Sequence, residues 1–272
     1  MQLAEDQSQR CVQGSFRECS IIEKEVVSVK YLEYYEIIKE QMEQQFKEEG
    51  NNITEAAKYC AESIKKGRVI HGFGCGHSQI FPMEIFYRAG GLVPVNALLI
   101  PHLALFPKAK LSTIQERIEG FAEDYLALEN IDSSDTMIIV SVSGRNAMVV
   151  DMALAAKKVG MKVIALVSRK FAKSTTSRHS SGKNLADVAD VVIDLKCFSG
   201  DAALSIEGME PKFCGTSTVL GVAMMEAIIA QTIEYCVESG YVPPVFVSSN
   251  LDKGDKINAE HLRNYNDLIS CY

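Results

Sequence analysis

Two short turns rich in glycine and serine constrain this chain more than any other feature. Residues 72–78 read GFGCGHS and residues 141–146 read SVSGRN. Each turn follows an apolar run rich in β-branched residues (Val69–His71 and Met137–Val140) and precedes a helix-patterned stretch. A small-residue turn at the carboxyl end of a parallel strand directs N–H groups and hydroxyls to one spot, beside the positive end of the next helix. Two such turns suggest that one anionic small molecule binds at a switch point of a single sheet.

Three interpretations compete for the first turn. A Walker phosphate loop ends in Gly-Lys-Ser/Thr, but His77 precedes Ser78 here, so that class of site is excluded. A dinucleotide fingerprint needs its third glycine one place after Gly76 and an acidic residue at the end of the second strand, where residues 96–99 read NALL. NAD binding is therefore disfavoured. A tight turn that binds nothing is the simple alternative, and the second turn weighs against it.

Composition narrows the class of protein further. The chain has 272 residues and a net charge of -7, and residues 1–50 hold most of the acidic excess. This distribution argues against a nucleic-acid-binding surface. No run of 18 uncharged apolar residues is present, so we expect no membrane segment. The 8 cysteines include no C-x-x-C pair and the 5 histidines show no zinc spacing. We therefore expect reduced thiols, a cytoplasmic location, no metal and no cofactor.

The apolar pattern predicts one α/β domain behind two helices. Residues 1–28 lack periodicity and are expected to form a loosely ordered extension, whereas residues 29–272 are expected to form a single domain. Helices are predicted over 29–49, 53–66, 78–88, 147–159 and 216–239, with weaker ones near 119–128 and 184–189, and strands over 68–73, 92–98, 135–141, 162–167 and 190–195. Because the strands are continuous Val/Ile-rich runs, we expect helices on both sheet faces. The predicted fold is a doubly wound, flavodoxin-like parallel sheet of five strands.

Two long connections have no predicted elements. Residues 168–183, rich in basic and hydroxyl side chains, either fold over a phosphate or form a solvated surface loop. Residues 196–215 are long enough to form a lid or a wall of an active site.

The motifs together resemble the sugar isomerase (SIS) domain family over about residues 31–239. The resemblance rests on GCGHS at residues 74–78, on the S-x-S-G-x-[NT] pattern at residues 141–146, on Ser168 and on Gly215–Thr218. The first of these, with FYRAGG at residues 86–91, is typical of stand-alone bacterial members. The family binds phosphosugars and includes phosphoheptose isomerase, the isomerase half of glucosamine-6-phosphate synthase and N-acetylmuramic acid 6-phosphate etherase.

The resemblance implies a phosphate site on the two turns and the end of the fourth strand. The implied contacts are Gly76, Ser78, Ser141, Ser143, Gly144, Arg145, Asn146 and Ser168. Arg145 either pairs with the phosphate or caps the solvent side of its turn.

The resemblance also implies a catalytic glutamate about ten residues after the serine of the first turn, and this chain departs from that pattern. Arg88 occupies that position, and Glu84 lies one helical turn earlier. Either the helix is offset and Glu84 takes the role, or other groups act. Glu84 lies among apolar residues, which would raise the pKa of a carboxyl group and suit a base near neutrality.

Three further residues are acid–base candidates, and two of them have a structural alternative. Glu226 interrupts an apolar helix and either serves the cleft or forms an interface ion pair. His77 lies inside the first turn, beside the expected ligand. His261 lies near the C-terminus, and the resemblance implies that it reaches the sugar from a neighbouring subunit; without the resemblance it is a surface histidine. His71 is interpreted as a hydrogen-bonded core residue.

The leading hypothesis is a cytoplasmic, metal-free phosphosugar isomerase of the aldose–ketose type that forms a homodimer or homotetramer. An etherase or lyase acting on a phosphosugar is the first alternative. A non-catalytic phosphosugar sensor is the second, although the acidic N-terminal segment has no basic recognition helix for DNA.

Overall fold

The computed structural model describes residues 29–272, and the extension predicted over residues 1–28 lies outside the described residues. The strands of the main sheet are β1 (Ile70–Gly74), β2 (Val95–Ala97), β3 (Thr136–Val140), β4 (Lys162–Val167) and β5 (Val191–Asp194). They are all parallel and lie in the order β2-β1-β3-β4-β5. This is the flavodoxin-like order, so the predicted fold class is confirmed.

Helices flank the sheet and fill most of the connections. They are α1 (Lys30–Glu48), α2 (Gly50–Lys65), α3 (Ile80–Ile85), α4 (Ala109–Gln115), α5 (Ala122–Leu126), α6 (Ala147–Val159), α7 (Arg169–Lys173), α8 (Leu185–Val188), α9 (Ser217–Glu238) and α10 (Gly254–Tyr265). Short 3-10 helices cover Gly76–Gln79 and Pro101–Leu103. An antiparallel hairpin of β6 (Ala202–Ile206) and β7 (Met209–Gly215) forms a separate two-stranded sheet.

Each face of the sheet carries its own hydrophobic core. In β3, Ile138 and Val140 pack with α2, α3 and α9, whereas Met137 and Ile139 pack with α5, α6 and α8. Since successive strand residues point to opposite faces, a strand buried on both faces has to be apolar throughout. The continuous Val/Ile-rich runs of the sequence are thereby explained.

Several predicted boundaries differ from the observed ones. The helix predicted to reach Arg88 ends at Ile85, and Phe86 and Tyr87 leave it to contact rings near the C-terminus: Phe86 stacks on Tyr272 at 5.5 Å and Tyr87 meets Phe246 at 5.1 Å. The connections predicted without elements contain α7 and the β6–β7 hairpin. The C-terminal tail forms α10.

The first helix presents its apolar stripe outward. Two glutamines are its buried residues: Gln41 donates to the Lys196 carbonyl at 3.0 Å and Gln45 to the Leu195 carbonyl at 3.0 Å. The stripe that predicted this helix is largely exposed, with Tyr31 at 70% and Tyr35 at 56%. In the described chain, α1 is therefore attached through these polar contacts and through Met42, which packs against the core, while most of its apolar face stays open.

Close packing between α3 and α9 depends on one glycine. By length and composition alone, α9 could cross a bilayer. Of its most apolar stretch, 44% is buried inside the protein. Its buried side chains, such as Leu220 and Met224, lie in the core that it shares with α2 and α3. A Cβ atom at Gly221 would overlap the ring of Phe81, which is 1% exposed. Only glycine lets the two helices approach to this distance.

A buried polar network ties the amino-terminal ends of the strands together. Asp135 accepts two hydrogen bonds from Arg68, at 2.9 and 2.8 Å, and one from the backbone N–H of Val69 at 3.1 Å. His71, fully buried as predicted for a core histidine, lies 3.2 Å from Asp135 through Nε2 and 3.2 Å from the Asn96 amide nitrogen through Nδ1. Because an amide nitrogen only donates, Nδ1 accepts and Nε2 donates to Asp135.

These bonds lower the pKa of Asp135. Burial by itself raises this pKa, but the hydrogen bonds from His71 and Arg68 outweigh burial and hold it at about 2. The charged carboxylate therefore stabilises the folded protein at neutral pH.

We expect Gly221→Ala to lower the free energy of unfolding by about 1–3 kcal/mol, because the added methyl group displaces Phe81 in a packed core. Urea denaturation measures this change. The matched control is Gly50→Ala: a Cβ at this helix start meets nothing within 4 Å, so stability should hold or rise slightly. Equal stability of Gly221→Ala and the wild type would contradict the packing account.

The lowered pKa of Asp135 predicts a contribution to stability that is lost in acid. A group whose pKa is lower in the folded state stabilises the protein above its unfolded pKa, near 4, and this contribution is lost as pH falls through about 2. We expect Asp135→Asn to cost about 2–3 kcal/mol at pH 7, and the difference from wild type to shrink below pH 4. Urea denaturation between pH 7 and 2.5 tests this, with exposed Asp252→Asn as control. A difference that is independent of pH would refute the assignment.

Candidate functional site

The strand order brings the two glycine-serine turns together. Strands β1 and β3 are neighbours, with Gly74 at the end of β1 paired to Val140 at the end of β3. The chain leaves β1 toward β2 on one side and returns to β3 on the other, so the sheet order reverses here. A crevice outside the carboxyl ends of the strands at such a point is where open α/β sheets bind ligands.

The first turn is shaped by its glycines. A Cβ at Gly74 would overlap the backbone of Ser78, and Gly76 has a φ of 58°, in the left-handed region. The chain then forms the 3-10 helix, in which the Ser78 N–H donates to the Cys75 carbonyl at 3.0 Å. His77 is exposed and Ser78 is half-buried, and neither side chain has a hydrogen-bond partner within residues 29–272. Both are thus available to a ligand.

The second turn leads into the open start of α6. The Gly144 N–H donates to the Ser141 hydroxyl at 3.2 Å, and Gly144 has a φ of 65°. Asn146 precedes the first helical residue, but its side chain makes no capping bond to α6. Ser143 is half-buried, with a hydroxyl that has no partner in the described chain. At the start of α6, the Met148 N–H donates to the Glu116 carbonyl at 3.0 Å. The Ser143 hydroxyl lies beside this positive helix end and has no protein partner within residues 29–272.

The basic connection after β4 folds over the second turn. The Arg178 N–H donates to the Arg145 carbonyl at 2.8 Å, and the Arg178 guanidinium donates to the Asn146 side-chain oxygen at 2.7 Å. His179 anchors the loop on Asp151 of α6 at 2.8 Å. Arg178 and His179 thus hold this loop against the second turn.

Positive charge accumulates around this turn. Burial lowers the pKa of Arg178, and the nearby charges of Arg145 and Arg117 lower it further. The Nε atom of Arg145 is buried and has no hydrogen-bond partner among the described residues. An anion bound here would offset the repulsion between these arginines and accept a hydrogen bond from the Arg145 Nε–H.

Glu116, at the end of α4, is a site residue that the sequence did not single out. Burial raises the pKa of its carboxyl group, while the Asn146 side chain and the charges of Arg117 and Arg178 offset this in part. Its charge also contributes to the raised pKa of the Cys75 thiol in the first turn, although burial is the larger cause. Glu116 therefore lies beside the second turn, and its charge also acts on the first. No motif marked it, because its segment had no predicted element.

Glu84 and Glu226 are joined by one arginine. Arg88 donates to Glu84 and lies 3.0 Å from Glu226 through its Nη1 atom. The two carboxyl side chains are 33% and 44% exposed. The apolar surroundings expected for Glu84 are thus replaced by an ion pair, and the ion pair considered for Glu226 forms within one chain. In the sequence, Arg88 stands out only because it occupies the position at which the resemblance implies a catalytic glutamate.

Two other predicted residues lie away from the free ligand-facing groups. Ser168 is fully buried, its hydroxyl donates to the Cys197 carbonyl at 2.8 Å, and it caps α7. Its hydroxyl is engaged by the protein in this structure, and the expected contact with a phosphate stays a prediction. His261 lies on α10, which packs through Leu262 and Tyr265 against Val69 at the opposite end of the sheet. Within one chain it does not reach the switch point.

The start of α9 is held by protein groups. Asp201 accepts from the Ser217 N–H at 2.8 Å and from its hydroxyl at 2.6 Å. The Gly215–Thr218 motif is therefore a capped helix start. Within residues 29–272, no group of three or more His, Cys, Asp or Glu side chains is placed to hold a metal ion.

Comparison with known proteins agrees with this architecture. The model of the SIS domain matches residues 33–168, half of the chain. A UPF0309 protein of Geobacillus thermodenitrificans is 40% identical over 237 residues, which cover 87% of this chain and 95% of the relative. A UPF0309 protein of Listeria innocua is 41% identical over 221 residues, which cover 81% and 90%.

Among solved structures, phosphoheptose isomerase from Neisseria gonorrhoeae aligns with a TM-score of 0.48 and 18% identity, covering 77% of this chain and 97% of that one. The family model and these sequence relatives show that the chain carries an SIS domain and belongs to the UPF0309 family.

Proposed function

We propose that the protein binds a sugar phosphate across the two turns. One observation carries the proposal: the start of α6, which has no side-chain cap, the free Ser143 hydroxyl and the positive charge of Arg145 and Arg178 lie together at the second turn. This is the set of groups that proteins use for a phosphoryl group. His77 and Ser78 lie on the adjoining turn, where they can meet the sugar hydroxyls.

The reaction that we propose is aldose–ketose isomerisation in the cytoplasm, without nucleic acid or membrane as a partner. A base removes the proton from the carbon beside the carbonyl, and a proton then returns to the former carbonyl carbon. The resemblance to the phosphosugar isomerases of the SIS family supports this choice. Phosphate binding by itself also fits a lyase or a sensor, so turnover has to be measured.

Glu84 is our leading candidate for the base, and Glu226 is its rival. Both contact Arg88, which places the two carboxylates within reach of one another at the α3–α9 contact. His77 is a third candidate on the first turn itself. His261 can take part only from a second copy of the chain, and the exposed apolar stripe of α1 supports a homodimer or homotetramer.

Ser143→Ala and Asn146→Ala are expected to weaken sugar-phosphate binding while the fold stays intact. The first removes a free donor, and the second releases Arg178 from the turn. Each hydrogen bond to a charged group is worth about 1.5–3 kcal/mol, or about 10- to 100-fold in affinity. Calorimetric titration with hexose, pentose and heptose phosphates measures the loss, with exposed Ser133→Ala as control. Unchanged affinity for every sugar phosphate would remove the switch-point site.

Glu84→Gln is expected to lower isomerase turnover by roughly 10²- to 10⁴-fold with little change in binding, because glutamine keeps the shape but cannot accept the proton. Glu226→Gln is the discriminating variant, and exposed Glu238→Gln on the same helix is the control. Full activity in Glu84→Gln with loss in Glu226→Gln reverses the assignment. If both variants stay active, the proton transfer belongs to His77 or His261. Binding without turnover by the wild type would favour the sensor.

A further inference from the structure

We propose that Glu116, on the segment that contacts both turns, is the acid that opens the sugar ring: its carboxyl group donates a proton to the ring oxygen of the bound sugar phosphate. The inference rests on the proposed function, and it assigns to this site a group that none of the motifs indicated.

The backbone fixes Glu116 beside both turns. Its carbonyl accepts the N–H of Met148, in the first turn of α6, at 3.0 Å. The α4 helix that ends there lies over the first turn, where a Cβ at Gly76 would be 3.7 Å from the Ser112 hydroxyl. Ser112 is buried and donates to the Leu103 carbonyl at 2.7 Å, so α4 is firmly attached. Glu116 is therefore held beside the start of α6, on the segment that covers the first turn.

Groups from three other segments act on Glu116 or are influenced by it. Asn146 of the second turn contacts the carboxyl group, Arg178 of the covering loop and Arg117 of its own segment supply positive charge, and the Cys75 thiol lies on the first turn. Despite the arginines, burial keeps the pKa of Glu116 above its ordinary value. A phosphate dianion on the same turn neutralises the arginines and adds a like charge, so it raises this pKa further. The ligand itself thus favours the protonated carboxyl group that an acid requires.

The position matches the geometry of a sugar phosphate. In cyclic hexose 6-phosphates and pentose 5-phosphates of the aldose series, the ring oxygen is bonded to the carbon next to the one that bears the phosphate. A group beside the phosphate turn, in contact with Asn146, therefore meets the ring oxygen first. The carbon from which the base takes its proton lies at the other end of the sugar. Ring opening and proton abstraction consequently fall to different residues.

The step is balanced in protons and electrons. The Glu116 proton passes to the ring oxygen while the bond from that oxygen to the anomeric carbon breaks, and its electron pair stays on the oxygen as a hydroxyl. The anomeric hydroxyl loses its proton to water and becomes the carbonyl. Water returns a proton to Glu116, so no other reactant is consumed.

The test compares Glu116→Gln with wild type on cyclic and open-chain probes. Ribose 5-phosphate is cyclic, whereas ribulose 5-phosphate stays open because its terminal hydroxyl is esterified. We expect the variant to lose roughly 10²- to 10⁴-fold in kcat/KM on ribose 5-phosphate and fructose 6-phosphate. Deuterium uptake from D2O into ribulose 5-phosphate, followed by NMR, should change only a few-fold.

Two further readouts separate chemistry from structure. Wild-type kcat/KM on the cyclic probes should fall toward alkaline pH as Glu116 loses its proton, and Glu116→Gln should lack this limb. At pH 8 the variant should melt no lower than wild type, because it removes a charge that burial disfavours. The control is Glu123→Gln, an exposed partner of Lys158.

Every outcome of these experiments supports or overturns the role of Glu116. Equal losses on cyclic and open-chain probes, no loss on either, or a lower melting temperature would overturn the role of Glu116 as the ring-opening acid. If wild type turns over none of the sugar phosphates, the isomerase proposal fails and this role fails with it. If wild type is active and the variant matches it, the role of Glu116 alone fails.

Discussion

The parallel pairing of β1 with β3 is the constraint on which the candidate site depends. It sets Gly74 beside Val140, so that two turns far apart in sequence leave the same edge of the sheet side by side. Parallel strands need long crossovers, and here one crossover leads to β2 and the other leads away through β4. Because the two crossovers lead in opposite directions, they leave a space between them, and α6 begins at the edge of this space. Without this pairing, each turn would be an ordinary strand-to-helix connection.

Positively charged side chains around that space make it suited to an anion. The loop that follows β4 carries Arg178 back over the second turn, where it meets Arg145 and Arg117. Bringing like charges together costs free energy unless an anion is present. Glu116 offsets part of this positive charge in the free protein, but its own burial disfavours ionisation. A bound dianion would take over this compensation and leave the carboxyl group protonated, which links phosphate binding to acid–base chemistry through one residue.

Much of the architecture could be predicted from local pattern. Strand β4 and helix α6 have the predicted bounds, since each is a long, strongly patterned segment. The end of α3 could not be predicted, because Phe86 and Tyr87 leave the helix to contact Tyr272 and Phe246 from a distant part of the chain. The β6–β7 hairpin was missed for a similar reason: its strands are largely exposed and lack a clear apolar alternation.

The sequence by itself determined the sheet, the helices on both faces and the two turns, because β-branched runs, helical spacing and small-residue turns act over a few neighbouring residues. Tertiary structure alone decided which side chains are available. It buried the Ser168 hydroxyl against Cys197, joined Glu84 to Glu226 through Arg88, and set Glu116 beside Asn146. These contacts connect segments that are distant along the chain. Their partners are selected by the packing of whole helices and strands, and no local pattern of residues encodes that selection.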